Sequence, residues 1–439
     1  MTLNSSTTAS ASWGGPAIAL FWDQSLVWGF ICLNTLSKLS IPFHLLNSAD
    51  IAGGALEHYR VLLVPGGWAA HKIRVLGNAG RRQINRFIDR GGSYLGFCGG
   101  AGMALSSPPC LELVPFERMP LAERLPNSSG EVRIRGVRNH PAWKNLPEEI
   151  SASIWWPAQF AWQPLPRSLP VGFYSSPGKD FWIADLPLSD LAAQQMQWKE
   201  WEKIYRINLN PARLLGQPAI LEVRKGKGRL ILSYPHLETP GDSHANTMLL
   251  NILEYLDRAA SKNLQCSHNP PLPHQAIAHH VSNESFEHVE NIRAAVDDLI
   301  AFGERHLLWY WHLPWLLRWQ RGIRGLEYSM LAVTVRFFQE LSCPAVERET
   351  NADPWLGPIK KLEQDIGEFC RQAKALLLEE KLAAHSGSLT KLGKVNERVD
   401  GMRSFLFGNR MNHGGLCRTI FDELDSLLLQ LLKQAETLN

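Results

Sequence analysis

Gly91-Gly92-Ser93-Tyr94-Leu95-Gly96-Phe97-Cys98-Gly99-Gly100 is the stretch whose reading decides the fold. A glycine pair stops a preceding helix, Ser93 to Phe97 forms a continuous apolar strand, and a cysteine follows in a glycine-rich turn. A second stretch has the same plan: Arg229-Leu230-Ile231-Leu232-Ser233-Tyr234-Pro235-His236-Leu237-Glu238. It too is an apolar strand, and it ends on a histidine two residues before a glutamate. Open α/β sheets place their ligand sites at the carboxyl ends of strands. A thiol nucleophile needs a base beside it and a third group to orient that base. Cys98, His236 and Glu238 supply these three groups.

The surrounding sequence alternates strands and helices. Ala17 to Trp22, Pro42 to Leu46 and Val61 to Val64 read as buried strands, the last ending in Pro65-Gly66-Gly67. Ser25 to Leu39 and Gly80 to Arg90 read as helices, and a short helix starts at Gly100. This rhythm predicts an α/β fold with a mainly parallel, doubly wound sheet covered on both faces. Residues 130 to 235 differ, with short alternating segments at Glu131 to Val137, Val171 to Tyr174 and Ala219 to Val223. Gly226-Lys227-Gly228 marks a hairpin leading to the strand before His236.

Asn269-Pro270-Pro271-Leu272-Pro273 reads as an extended linker. Beyond about residue 284 the pattern changes to three-four spacing. Ile359, Leu362, Ile366, Phe369, Ala373 and Leu376 share one stripe, and Leu416, Ile420, Leu424, Leu427 and Leu431 share another. The expected organisation is a disordered tail (1–15), an α/β domain (16–258), a Pro- and His-containing linker (259–283) and an all-α helical bundle (284–439).

Composition narrows the function. The chain has 439 residues and a net charge of +3, with basic residues spread out, so nucleic acid is not expected as a partner. Seven cysteines lack Cys-x-x-Cys spacing, which argues against a disulfide framework or structural zinc and for a reducing compartment, the cytoplasm. No apolar run is long enough for a spanning helix. His274, His279 and His280 lack companions at ligand spacing, so no metal and no cofactor is expected. The 16 tryptophans cluster at 155–201 and 309–319. The stretch Arg305 to Trp319 reads as a helix, apolar all round with basic flanks and broken by Pro314; it could lie on a membrane surface, and packing on the first domain or on a protein partner is the favoured reading.

Gly-x-Cys-x-Gly between a strand and a helix is a nucleophile elbow. With a late His-x-Glu pair, the chain resembles the class I glutamine amidotransferase superfamily, which has a flavodoxin-like fold. Asn78 to Gly100 and Gly226 to Glu238 resemble more closely the amidotransferase-like N-terminal domain of biotin–protein ligases and its stand-alone relatives. The resemblance spans roughly residues 16 to 258. It implies Cys98 as nucleophile, His236 as base and Glu238 as orienting acid. It also implies an oxyanion or substrate site at Gly66, Gly67, Gly99 and Gly100.

Two departures shape what is expected. Working class I amidotransferases usually carry glutamine four residues after the nucleophile, and here Gly102 stands there. The ligase module's Gly-Arg-Gly-Arg-type loop and Lys-Trp-Pro-Asn-type strand are missing, so biotin ligase activity is not expected. Two readings follow. One is thiol-dependent hydrolysis or acyl transfer on a small amide or acyl substrate. The other is a catalytically inactive, amidotransferase-like binding or scaffold protein acting through its helical half.

Overall fold

The computed structural model describes residues 18–137, 139–192, 198–262, 279–344, 353–386, 393–408 and 413–437. Its centre is a mixed ten-stranded sheet. Five strands run parallel, in the order Phe43–Leu46, Ile18–Phe21, Val61–Val64, Ser93–Phe97 and Gly228–Ser233. Four more continue antiparallel: Pro218–Lys225, Ser168–Ile183, Ser128–Gly136 and Glu149–Trp155. Leu186–Pro187 pairs as a short appendage with Ser168–Ile183.

The burial patterns explain the division. The first four parallel strands are buried at every residue, as strands covered on both faces must be. Glu149–Trp155 alternates half-buried and buried residues, because only one of its faces meets the core. Alternate residues of one strand enter different cores. Ile18 and Leu20 face a layer that contains the helix Val27–Lys38 and the helix Ser243–Ser261. Ala19 and Phe21 face the long helix Ala69–Arg90, which kinks at Gly77 and presents Ile84, Phe87 and Ile88.

The C-terminal region is helical, as expected, with helices at Asn283–Arg305, Gly325–Leu341, Leu356–Ser386, Glu397–Phe407 and Gly415–Thr437. They continue the first core layer rather than building a separate one. Phe30 meets Phe337 with ring centroids 4.3 Å apart. At the sheet's edge, Asp425 accepts the Gln24 backbone N–H at 2.9 Å, and its carbonyl accepts the Trp22 indole N–H at 3.2 Å.

The tryptophan-rich stretch departs from the helical reading. Trp309–Leu313 and Leu316–Trp319 form an antiparallel hairpin. Aromatic residues suit a pleated, half-buried surface, and Pro314 sits in the turn, where its missing N–H costs no ladder bond. Trp309 packs over Gly303 of the preceding helix and donates its indole N–H to the Ile300 carbonyl at 3.0 Å. A short parallel pair, His279–Val281 with Ser342–Pro344, is a second non-helical element. His274 and the Pro-rich 269–273 stretch lie outside the described residues.

Candidate functional site

Cys98 sits between the strand Ser93–Phe97 and the short helix Gly99–Ala104, with φ 45° and ψ −103°. A non-glycine residue in that region of backbone space is strained, and the surroundings hold it there. The Cys98 N–H donates to the Ser233 carbonyl at 2.7 Å, and its carbonyl accepts from Gly102 N–H at 2.8 Å. The first bond ties the cysteine turn to the strand that leads to His236. Close packing explains the glycines beside it. A Cβ on Gly99 would lie 1.8 Å from the Gly67 carbonyl oxygen, and one on Gly100 would lie 2.1 Å from that of Val64. Gly67 itself has φ 103° and rests on the Gln24 carbonyl. Gly66 abuts Trp28 and the His236 ring. The four sequence-nominated glycines therefore all surround the turn.

His236 and Glu238 are both essentially without solvent exposure. His236 Nδ1 and Glu238 Oε1 are 2.6 Å apart. The backbone fixes the pair: His236 N–H donates to the Ser153 carbonyl at 2.8 Å, and Thr35 donates its hydroxyl to the Glu238 carbonyl at 2.7 Å. Trp28 stacks on the imidazole with centroids 6.1 Å apart. Burial alone would pull the His236 pKa down. The Glu238 charge and the nearby Cys98 overcome it and push the value up to about 10. The carboxylate beside it therefore favours the protonated ring.

The structure thus brings Cys98, His236 and Glu238 together. Cys98 is a side-chain neighbour that acts on His236. Yet among the described residues Nε2 has no partner of hydrogen-bonding geometry, and the thiol's own contact is the Trp155 carbonyl at 3.8 Å.

Cys98 opens into a cavity of about 1400 Å³. One part of its wall comes from the sheet domain, with Trp155, Trp156, Arg118 and Tyr234; another comes from the hairpin, with Arg318 and Trp319. Trp155 meets Trp315 edge-on at 4.6 Å, and Trp156 meets Trp319 at 5.4 Å. Sequence reading placed these tryptophans at an interface but missed the arginines. They follow no periodic pattern, and only the tertiary fold aligns them. Among the described residues there is no cluster of three or more metal-ligating side chains, and no helix is long and apolar enough to cross a membrane.

Residues 56–107 match the family model described as Biotin-protein ligase, N terminal. The matched region contains the Cys98 turn. No curated protein matches the chain. Among solved structures, PurLQS from Thermotoga maritima is similar at 13% identity, covering 55% of this chain and 99% of that one, with a TM-score of 0.37. A glutamine amidotransferase from Thermotoga maritima is similar at 12% identity, covering 55% and 98%, with a TM-score of 0.30. A beta-galactosidase from Bacillus circulans sp. alkalophilus is similar at 10% identity, covering 58% of this chain and 32% of that one, with a TM-score of 0.35.

Proposed function

We propose that this protein is a thiol-dependent hydrolase or acyl transferase acting on a small amide or acyl compound. The observation that carries the reading is the buried His236–Glu238 pair beside a strained cysteine that opens to a cavity. Cys98 sulfur attacks the carbonyl carbon, and a C–S bond forms as the carbonyl π pair moves onto oxygen. Backbone N–H groups around Gly67 and Gly99 face the developing oxyanion. The carbonyl re-forms, the C–N or C–O bond breaks, and His236 gives its proton to the leaving group. Water, or an acceptor with a transferable proton, then attacks the thioester. His236 takes the proton, and sulfur leaves as the acid or transfer product departs. Glu238 holds the ring's orientation and stabilises the imidazolium.

The test is alkylation of the full chain by iodoacetamide at pH 7, read cysteine by cysteine by mass spectrometry. Cys98 should react at least about tenfold faster than the half-buried Cys343, as poised thiolates do. It should also give a one-equivalent burst of nitrophenol from p-nitrophenyl acetate that Cys98→Ala abolishes. Equal rates at the two cysteines and no burst would leave an inactive binding protein.

A further inference from the structure

Gly102 stands one helical turn past Cys98, and a methyl group placed there would lie 3.4 Å from a terminal guanidinium nitrogen of Arg118. Where the amidotransferase pattern has a neutral glutamine side chain, this chain leaves a gap with a cation beside it. Arg118 is fixed by its backbone, which donates to Ser107 Oγ at 2.8 Å and bridges to Phe160.

A second guanidinium lies close by. Burial and the charge of Arg118 both act against the Arg124 cation. Arg118, Arg124, Tyr234 and Cys98 all line the one cavity. The hairpin brings a third arginine to the same cavity. Arg318 is 6% exposed, lies 4.4 Å over the Trp182 ring and donates from Nη1 to Ser129 Oγ at 2.7 Å. Its Nε and Nη2, and the buried Nε atoms of Arg118 and Arg124, have no hydrogen-bond partner among the described residues.

Three acids line the cavity, Asp185, Glu202 and the exposed Glu304, against five arginines, Arg118, Arg124, Arg206, Arg318 and Arg321. Asp185 accepts the Tyr205 hydroxyl at 2.9 Å, and Glu202 accepts the backbone N–H groups of Leu209 and Asn210. Asp180, which acts on Arg318 from nearby, bonds to His312 and Trp182. Among the described residues Arg118, Arg124 and Arg318 make no ion pair. Guanidinium groups turned into one partly dry space repel one another, and an oxyanion there would gain charge-assisted, bidentate hydrogen bonds.

We infer that the substrate of the Cys98 site is an acyl or amide compound bearing an oxyanion, a carboxylate or a phosphate. Arg118 and Arg124 hold that group beside the sulfur. Its apolar or aromatic body lies against Trp155, Trp156 and Trp319, which line the same cavity. The inference rests on the reading of Cys98 as the nucleophile, and it adds the substrate's charge.

Two alkylating agents of similar size and opposite character test it on the full chain. The measured quantity is the rate of Cys98 carboxymethylation by iodoacetate divided by the rate with iodoacetamide. N-acetylcysteine sets the reference ratio. The wild type should exceed that reference by about tenfold, the worth of one charge-assisted hydrogen bond. Arg118→Gln and Arg124→Gln should each bring the ratio back toward the reference, with melting curves confirming that the variants fold. A wild-type ratio at the reference, with rapid iodoacetamide reaction, would overturn the oxyanion while sparing the nucleophile. Failure of Cys98 to react with either agent would overturn the nucleophile and the inference together. Protection from iodoacetamide supplies the second arm. Benzoate or phenyl phosphate should protect Cys98 and benzamide should not, and the better protector identifies the oxyanion. Protection by benzamide alone would overturn the inference.

Discussion

Glu238→Gln tests the electrostatic core of the site. In the native chain an imidazolium and a carboxylate stand 2.6 Å apart without solvent. Removing the carboxylate's charge breaks the pair and forces the ring to give up its proton, and breaking a buried pair costs about 3–5 kcal/mol. The effect carries a pH signature. His236 titrates near 10 in the folded chain, against 6.5 for an ordinary histidine. A raised pKa gives stability that is complete below about 6.5 and is lost as pH climbs through about 10. Within that window the wild type should lose about 1.4 kcal/mol per pH unit from this group, up to about 5 kcal/mol in all. Without the carboxylate, burial prevails and keeps the ring neutral, so the variant should lack this decline. The assay is urea unfolding of both proteins at pH 7, 8, 9 and 9.5. The gap between them should be widest at pH 7 and should close as pH rises. Other titrating groups are common to both chains and cancel. A gap of constant width across the series would refute the assignment of the proton to His236.

Burial raises the Asp425 carboxyl from 3.8 to about 8, so native stability linked to it is full below about pH 4 and fades as pH rises through 8. Asp425→Asn should remove that decline, seen as closer urea midpoints at pH 5 and pH 8 than in the wild type. Gly99→Ala drives a methyl group into the Gly67 carbonyl and should lower the melting temperature and erase the selective alkylation of Cys98. Trp309→Ala empties a buried site over Gly303 and should cost about 3–5 kcal/mol in urea unfolding. Ammonia release from glutamine should be weak or absent in the wild type, because Gly102 offers no side-chain hydrogen bond. Robust turnover that vanishes in Cys98→Ala would refute this last expectation.

The legible parts of the fold were those governed by short-range rules. Continuous apolar runs at Val61–Val64 and Ser93–Phe97 declared buried parallel strands, and Gly226-Lys227-Gly228 declared a hairpin. Stripes at Ile359–Leu376 and Leu416–Leu431 declared helices. The Trp309–Trp319 hairpin was illegible because a stretch apolar all round has no period to read. Its shape is decided by where Trp309 and Trp319 find glycines to cover. Cys98, His236 and Glu238 could be nominated because each follows a strand end. The arginines could not, since Arg318 joins Arg118 and Arg124 in lining one cavity only when the hairpin folds back onto the sheet domain.

The bond from Gln24 to Asp425 spans nearly the whole length of the chain, and the core layer around Phe30 and Phe337 surrounds it. The sheet-bearing half therefore shares its core with the C-terminal helices. A ribosome would have to release almost the entire polypeptide before the first strand's end gained its last partner. A gene fragment stopping near residue 262 would encode a sheet with one oily side bare and the cavity beside Cys98 unroofed. A change in the last helix is thereby felt at the end of a strand about four hundred residues upstream.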